Sequence, residues 1–310
     1  MSSPAFRRSL WAALLASVLV AGYLQIFTVF MLYDDEGYVL QSLNQFAQSG
    51  GLYHHVYSQY GPLFYLIFGG LARLGDFTWA HDVGRFVTLA HWIGTAALSG
   101  WIGLQLTRSH LVSAFTFVGT FAHLWQMSAE PMHPGGALAL WIALGAGFSL
   151  KFLLAEQTRR FAITVGITAA CCALVKINVG LFVAAAGGMW MWLNRTHRGS
   201  RGALFDGLLL VVAAIGPCVL MLRSIHETWA ATYALVGGVA IASVAAWTIR
   251  FARPDFGLGL ARSAIGTAAI VIGVTIAAIW VCGTSPTELI QGSLIGPLSH
   301  ASIYQFPFNW

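Results

Sequence analysis

The sequence predicts an all-α protein, a polytopic bundle of about nine transmembrane helices. Apolar residues make up 57% of the 310 positions, charged residues only 9%, and the mean hydropathy is +0.72. Soluble globular domains carry about 25% charged residues, so this composition excludes an ordinary soluble enzyme. A membrane helix needs about 20 mostly apolar residues. The candidate spans are 10–32, 86–106, 111–127, 136–154, 161–175, 178–194, 203–222, 230–249 and 263–282.

A tenth apolar run, 61–74, is short and carries Pro62 and Arg73. If it does not cross and the N-terminus is cytoplasmic, 12 of the 16 basic residues fall in cytoplasmic loops and eight of the 11 acidic residues fall outside. If it does cross, every later basic loop faces outside, against the positive-inside rule. We therefore expect 61–74 to be an interfacial or re-entrant helix within a first external loop, 33–85.

The external loop opens with three consecutive acidic residues, Asp34, Asp35 and Glu36, out of only 11 in the chain. Apolar positions at helical spacing then predict a surface helix over 36–48, ended by a Gly-Gly pair. A chain that carries so few charges places three together at this point. We interpret them as the acidic centre of an extracytoplasmic active site.

Two further segments of the outer face carry polar side chains on irregular backbone. Residues 52–62 are rich in Tyr and His, among them His55 and Tyr60. They either line a sugar site or form an interfacial aromatic belt. Glu130 and His133 lie where two prolines and two glycines break the helical pattern. Such backbone is tolerated where it lines a polar cavity, although an ordinary turn between helices explains it too.

Lys176 interrupts the long apolar run 161–193. A lysine at membrane depth is costly, which favours a functional role in pairing with a phosphate or with a carboxylate. The alternative is that its side chain reaches outward to the lipid headgroups.

The remaining loops are short and basic, and they carry no Walker loop, dinucleotide fingerprint or HExxH motif. Nucleotide-driven chemistry is therefore not expected, and the formal charge of +5 indicates cytoplasmic loops rather than nucleic-acid binding. The last segment, 283–310, is expected to be external. It ends on aromatic residues without a basic tail, from which we expect a longer protein truncated at its C-terminus.

The layout resembles the GT-C superfamily of integral-membrane glycosyltransferases, in particular the group of protein O-mannosyltransferases and lipid A aminoarabinose transferases. An acidic pair after the first span, a surface helix, a Gly-Gly break and a Pro-Leu-aromatic run carry the resemblance, with two later segments. The matching residues are Asp35-Glu36-Gly37-Tyr38, Gly61-Pro62-Leu63-Phe64-Tyr65, His133-Pro134-Gly135 and Val175-Lys176-Ile177-Asn178. Gly135 departs from the family, which commonly has an acidic residue there.

The resemblance implies an inverting transfer of a sugar from a polyprenyl-phosphate donor to a glycan, lipid or protein acceptor at the outer membrane face. It implies Asp35 as the base, with Asp34 and Glu36 as alternatives. Lys176 and Arg85, and also Arg73, are candidates for the lipid phosphate, and Glu130, His133, Tyr60 and His55 for other substrate contacts. Some relatives bind a divalent metal, for which Asp34, Glu130 and His133 are the candidate ligands. The expected location is a bacterial inner membrane.

The sequence leaves two other functional hypotheses open. A lipid or solute transporter also needs intramembrane charges and broken helices. A non-catalytic membrane subunit or truncated remnant needs neither. An enzyme predicts that Asp35, Glu130, His133 and Lys176 lie together at the outer face. A transporter predicts polar residues deep in the spans, and a scaffold predicts no such grouping.

Overall fold

The structure of the protein, a computed structural model, describes residues 4–29, 35–127, 130–195, 200–250 and 257–296. In these ranges all regular secondary structure is helical and no β-strand is present, which confirms the predicted all-α class. The helices are α1 (Pro4–Thr28), α2 (Glu36–Ser49), α3 (Pro62–Gly75), α4 (His81–Thr107), α5 (His110–Leu124), α6 (Pro134–Leu154), α7 (Thr158–Ala173), α8 (Ile177–Leu193), α9 (Ser200–Leu220), α10 (Thr228–Arg250), α11 (Leu258–Val281) and α12 (Pro286–Ile290).

Five helices of the described ranges are long and apolar enough to cross a membrane. They comprise Arg8–Thr28, His81–Thr107, Pro134–Leu154, Thr228–Arg250 and Gly259–Val281. Large apolar side chains on the outside of the bundle are widely exposed, among them Val281 at 86% and Trp247 at 67%. Soluble proteins do not expose apolar surface on this scale. These features are compatible with a multi-pass membrane protein.

The prediction of nine spans is not confirmed. The candidates 111–127, 161–175, 178–194 and 203–222 correspond to α5, α7, α8 and α9, which are not among these five helices. Helices α5 and α8 and the stretch Leu204–Leu220 of α9 are apolar but shorter. The longest of α5, α7 and α8 has 17 residues. At 1.5 Å per residue such a helix rises about 25 Å, below the roughly 30 Å of a bilayer's hydrocarbon core. The turns between these helices use residues that the apolar pattern assigned to spans.

Two helices of the predicted external loop pack against each other. The surface helix predicted over 36–48 is confirmed as α2, and its buried side chains, including Leu43 and Phe46, recur at helical spacing. The run 61–74 forms α3, whose 14 residues are too short to cross a bilayer. A hydrogen bond of 3.0 Å between the hydroxyls of Ser42 and Tyr65 joins the two helices where both side chains are buried.

The helix pairs form a continuous series. Helices α1, α5 and α6 pack on α4, α6 and α8 pack on α7, and α10 packs on both α8 and α9. Helix α11 lies against α7 and also contacts α3. A buried core links the first loop to these helices through Leu43, Val56 and Tyr65 on one side and Val175 and Ile279 on the other. The first loop is thereby held against the ends of α7 and α11.

Candidate functional site

Asp35 occupies the N-cap position of α2 and is exposed. Its carbonyl oxygen accepts the amide hydrogen bond of Val39 at 2.8 Å, while its side chain makes no cap bond. The carboxylate instead accepts a hydrogen bond from the hydroxyl of Tyr60, 3.2 Å from Oδ2. Burial, with the negative charge of Asp35, raises the pKa of Tyr60, so this phenol remains the donor. The acidic end of α2 and the aromatic segment thus meet in one place.

Glu36 is positioned differently from its neighbour. It is 1% exposed and forms a bidentate ion pair with Arg85, which is 4% exposed. Nε donates to Oε1 at 2.9 Å and Nη2 to Oε2 at 2.7 Å. Nη1 of Arg85 donates to the carbonyl oxygen of Ile26, and His81 lies 3.2 Å from the carboxylate. These contacts connect α1, α2 and α4. Because both side chains are engaged with each other, the predicted roles of Glu36 as a base and of Arg85 as a phosphate ligand have no support here.

The loop before α3 is docked on the break between α7 and α8. Gly61 donates its amide hydrogen bond to the carbonyl oxygen of Val175 at 2.8 Å, and Leu63 donates to that of Leu174 at 3.2 Å. A Cβ atom at Gly61 would collide with the Leu174 carbonyl oxygen, so no other residue allows this approach. The hydrogen bond joins Gly61 to Val175. Tyr60 precedes Gly61 and Lys176 follows Val175, so the contact brings Tyr60 and Lys176 together.

Lys176 is the N-cap residue of α8, and its Nζ atom lies 5.4 Å from the centroid of the Tyr60 ring. This distance suits a cation–π contact. Burial lowers the pKa of Lys176, while the carboxylates of Glu130 and Asp35 oppose the shift. Among the described residues its ammonium group forms no ion pair. The cation is therefore close to two acidic groups without being neutralised by direct contact.

His133 stands edge-on to Tyr60, with ring centroids 5.5 Å apart and an interplanar angle of 87°. As the N-cap of α6, its Nδ1 atom accepts the amide hydrogen bond of Gly135 at 3.0 Å. Burial, assisted by the charge of Lys176 and opposed by Asp35, lowers the pKa of His133 to about 4. The ring is therefore neutral at pH 7, and its hydrogen is on Nε2 because Nδ1 accepts.

Glu130 completes the group, three residues before His133. Its Oε2 atom is 3.6 Å from Nδ1 of His133. Since Nδ1 already accepts a hydrogen bond and the ring is neutral, this approach is neither an ion pair nor a hydrogen bond. Asp35, Tyr60, Glu130, His133 and Lys176 are together called the Tyr60 cluster below. The fold thus brings together the four residues that the enzyme hypothesis predicts to be neighbours, namely Asp35, Glu130, His133 and Lys176.

The predicted metal set is only partly described. Asp34 lies outside the described residues, and within them no group of three or more His, Cys, Asp or Glu side chains could hold a metal ion. Nδ1 of His133 is engaged by Gly135, which leaves only Nε2 for a ligand role. The described donors therefore do not fit a metal.

His55 lies apart from the Tyr60 cluster. It is exposed, its ring packs edge-on against His54 at 4.5 Å, and its amide donates to the carbonyl oxygen of Gly51. The predicted substrate contact at His55 has no support in these interactions.

The segment after α11 holds the loop that carries Tyr60, a role that the sequence did not indicate. The amide of Gly51 donates to the carbonyl oxygen of Cys282 at 2.9 Å, and that of Leu52 donates to Oγ1 of Thr284 at 2.8 Å. Gly50 has φ of +63°, and a Cβ atom there would strike the same Cys282 oxygen. The sequence predicts that the Gly-Gly pair ends α2. The structure shows that the pair also allows the close approach to Cys282.

Tyr53 extends the connection to Tyr60. Its hydroxyl donates to the carbonyl oxygen of Tyr60 at 2.9 Å and lies 3.0 Å from Oγ of Ser293. Burial raises the pKa of Tyr53 to about 12, which keeps this hydroxyl protonated. A phenol has one hydrogen, so Ser293 must be the donor in the second bond. Ser293, Tyr53, Tyr60 and Asp35 thus form one connected series.

A second, partly buried ion pair lies at the other end of α8 and was also missed. Asp206, 5% exposed, accepts from Nη1 of Arg195 at 2.6 Å and from Nε1 of Trp192 at 3.1 Å. The guanidinium also lies over the Trp192 ring, 4.4 Å from its centroid. In the sequence, the only sign of this ion pair is a single aspartate inside the apolar run 203–222. Its pairing explains how the charge is accommodated.

Comparison of the chain with protein-family models, with curated proteins and with solved structures gave no match. The functional assignment therefore depends on the geometry of the Tyr60 cluster and on the resemblance in the sequence.

Proposed function

We propose that the protein is a membrane glycosyltransferase that moves a sugar from a polyprenyl-phosphate donor to an acceptor hydroxyl, with inversion. The proposal places the reaction at the extracytoplasmic face of a bacterial inner membrane, with the N-terminus in the cytoplasm. The observation that carries it is the Tyr60 cluster, which gathers an exposed carboxylate, an ammonium without a direct ion pair among the described residues, and a neutral imidazole, from the starts of α2, α6 and α8. Such a transfer needs a base for the acceptor hydroxyl and a cation for the departing phosphate.

Asp35 is the proposed base. Its carboxylate already accepts a hydrogen bond from one hydroxyl, that of Tyr60, and it is exposed. An acceptor hydroxyl that approaches the same carboxylate would lose its proton to it as the new glycosidic bond forms. General-base assistance of this kind typically contributes about 10²–10⁴-fold in rate.

Lys176 is the proposed partner of the departing phosphate. Its ammonium lies against the Tyr60 ring without a direct counter-ion among the described residues, so a phosphate oxygen would find an unpaired cation there. Negative charge develops on the bridging oxygen as the sugar leaves, and a fixed cation stabilises it. Because burial already penalises the isolated charge, an incoming anion gains more from this lysine than from an exposed one.

His133 contributes a hydrogen-bond donor rather than a charge. With Nδ1 held by Gly135, the ring is fixed in one orientation and presents Nε2–H. A pKa of about 4 keeps the ring neutral at physiological pH, and the Gly135 hydrogen bond selects the tautomer. Such a donor can orient a sugar hydroxyl or a phosphate oxygen. No step of the proposal passes through a metal, because the described donors do not fit one.

The deciding experiment measures transfer of radiolabelled sugar from polyprenyl-phosphate donors in membranes that contain the wild type, Asp35→Asn or Lys176→Met at matched expression. Loss of about 10²-fold or more is expected for Asp35→Asn, since the base is removed. Asp82→Asn is the control, because Asp82 is exposed in the same predicted loop. Normal transfer by Asp35→Asn, or no transfer by the wild type from any donor, overturns the proposal and favours a transporter or scaffold.

A further inference from the structure

A cleft of about 530 Å³ lies between α2 and α3, away from the Tyr60 cluster. This volume is within the range of small-molecule binding pockets. The last turns of α2 and α3 and the connection to α4 form its walls. The lining residues are Asn44, Ala47, Gln48, Ala72, Arg73, Asp76, Phe77 and Thr78.

One wall of the cleft is fixed by a pair of hydrogen bonds. Nδ2 of Asn44 donates to the carbonyl oxygen of Trp79 at 3.0 Å, and the amide of Trp79 donates to Oδ1 of Asn44 at 2.7 Å. The indole of Trp79 is buried and donates to the carbonyl oxygen of Phe68 at 3.0 Å. Phe77 packs edge-on against that indole, 5.1 Å away. The connection is therefore tied to both helices, which fixes this wall of the cleft.

The cleft carries one cation and one anion that do not neutralise each other. Arg73 lies in the last turn of α3, and Asp76 caps the helix in a left-handed conformation with φ of +48°. Among the described residues, neither side chain forms an ion pair or a side-chain hydrogen bond. Opposite charges three positions apart would be expected to pair across a helix turn. Here they do not pair, and both side chains are exposed and available to a ligand.

Apolar side chains project from the same end of α3. Leu74 is 89% exposed, Leu71 50% and Phe77 38%. Since α3 is too short to cross a bilayer but ends in this exposed apolar group, its tip fits the boundary between headgroups and acyl chains. Leu71 and Leu74 lie on the face of α3 opposite to the cleft, whereas Phe77 lines it. A ligand of the cleft would then have its acyl chains beside Phe77 and its polar head between Arg73 and Asp76.

We propose that this cleft binds the headgroup of a zwitterionic phospholipid with a primary ammonium, such as phosphatidylethanolamine. Arg73 contacts the phosphate and Asp76 contacts the ammonium, whose hydrogens an acidic oxygen accepts. The site is separate from the proposed transferase centre and does not depend on it. It would fix the depth and orientation of the first loop relative to the membrane surface.

Native mass spectrometry of the full chain in detergent tests the proposal, with phosphatidylethanolamine, phosphatidylglycerol and phosphatidylcholine added separately. The wild type is expected to retain the ethanolamine lipid best. Arg73→Gln should weaken retention of all three about fivefold, as expected for one partly exposed charge contact. Asp76→Asn should weaken the ethanolamine lipid most and the choline lipid less, because a quaternary ammonium has a charge but no hydrogen to donate. It should leave the glycerol lipid unchanged or better bound, since that head carries no ammonium.

Arg223→Gln and Asp82→Asn are the controls, because both positions are exposed and make no contact with the cleft. Circular dichroism and a monodisperse elution profile establish that each variant is folded. The proposal is overturned if Arg73→Gln retains the ethanolamine lipid like the wild type, or if Asp76→Asn loses all three lipids equally. It is also overturned if the controls lose as much binding as the cleft variants.

Discussion

The amide of Gly61 donates a 2.8 Å hydrogen bond to the carbonyl oxygen of Val175. This contact joins the loop that carries Tyr60 to the helix break that carries Lys176. The chemical groups of the candidate site therefore depend on a residue that has no side chain.

Replacing Gly61 with alanine should separate these two segments. The new Cβ atom would meet the backbone oxygen of Leu174, which cannot rotate away, so strain of about 1–3 kcal/mol is expected. Thermal unfolding in detergent should show the loss, and sugar transfer should fall with it. Gly70→Ala is the matched control, because nothing lies within 4 Å of a Cβ atom there. Alanine at this helical position should stabilise slightly. Equal stability of the two variants would contradict the role of Gly61.

Removing one partner of the Glu36–Arg85 pair should be more damaging than removing both. Arg85→Met leaves a carboxylate that is 1% exposed without its main cation, at an expected cost of about 3–5 kcal/mol. Glu36→Met combined with Arg85→Met should recover most of this loss, because no charge then stays buried. Unfolding in mixed detergent micelles measures both. If the double variant is as unstable as Arg85→Met, the destabilisation does not come from the unpaired buried charge, and this prediction is wrong.

His133 should make the protein less stable as the pH falls from about 6.5 to about 4. Its pKa is lowered from 6.5 to about 4 in the folded protein, so the unfolded chain binds a proton first over this window. The contribution is present above pH 6.5, and about 3 kcal/mol is lost once the pH reaches 4.

His133→Asn isolates this effect, because asparagine keeps an acceptor for the Gly135 amide and cannot titrate. The stability difference between this variant and the wild type should narrow or reverse across the window. His226→Asn serves as the control, since His226 is 72% exposed. A pH dependence that is the same in wild type and His133→Asn would contradict a buried neutral histidine.

Thr284 should govern the order of the loop that ends at Tyr60. Thr284→Val removes the acceptor for the buried amide of Leu52, at an expected cost of about 1–3 kcal/mol. Hydrogen exchange of residues 50–61 should accelerate. Thr275→Val is a suitable comparison, because Thr275 is also buried and donates only to a carbonyl of its own helix. If exchange is unchanged in Thr284→Val, the segment after α11 does not hold the loop.

The residues differ in how well the sequence alone could place them. Composition and helical spacing predicted the all-α class and α2, because both depend on local pattern. The ends of α5 and α7 were placed too far along the chain, at 127 and 175 instead of Leu124 and Ala173, since apolar residues in turns look like those in spans. Glu36 and Arg85 were both recognised as special, but a bidentate pair between two helices cannot be read from residue types. Gly61, Thr284 and Tyr53 act through contacts with distant segments, and only the fold shows them.

The attachment of the first loop to the segment after α11 sets an order for biosynthesis. Leu52 and its acceptor Thr284 are 232 positions apart. At about 5–20 residues per second, a ribosome needs roughly 10–50 s to add the residues between them. During that interval the amides of Gly51 and Leu52 have no acceptors at Cys282 and Thr284. The loop can take up its final shape only when α11 and the residues after it have been made, so it is completed long after its own residues have left the ribosome.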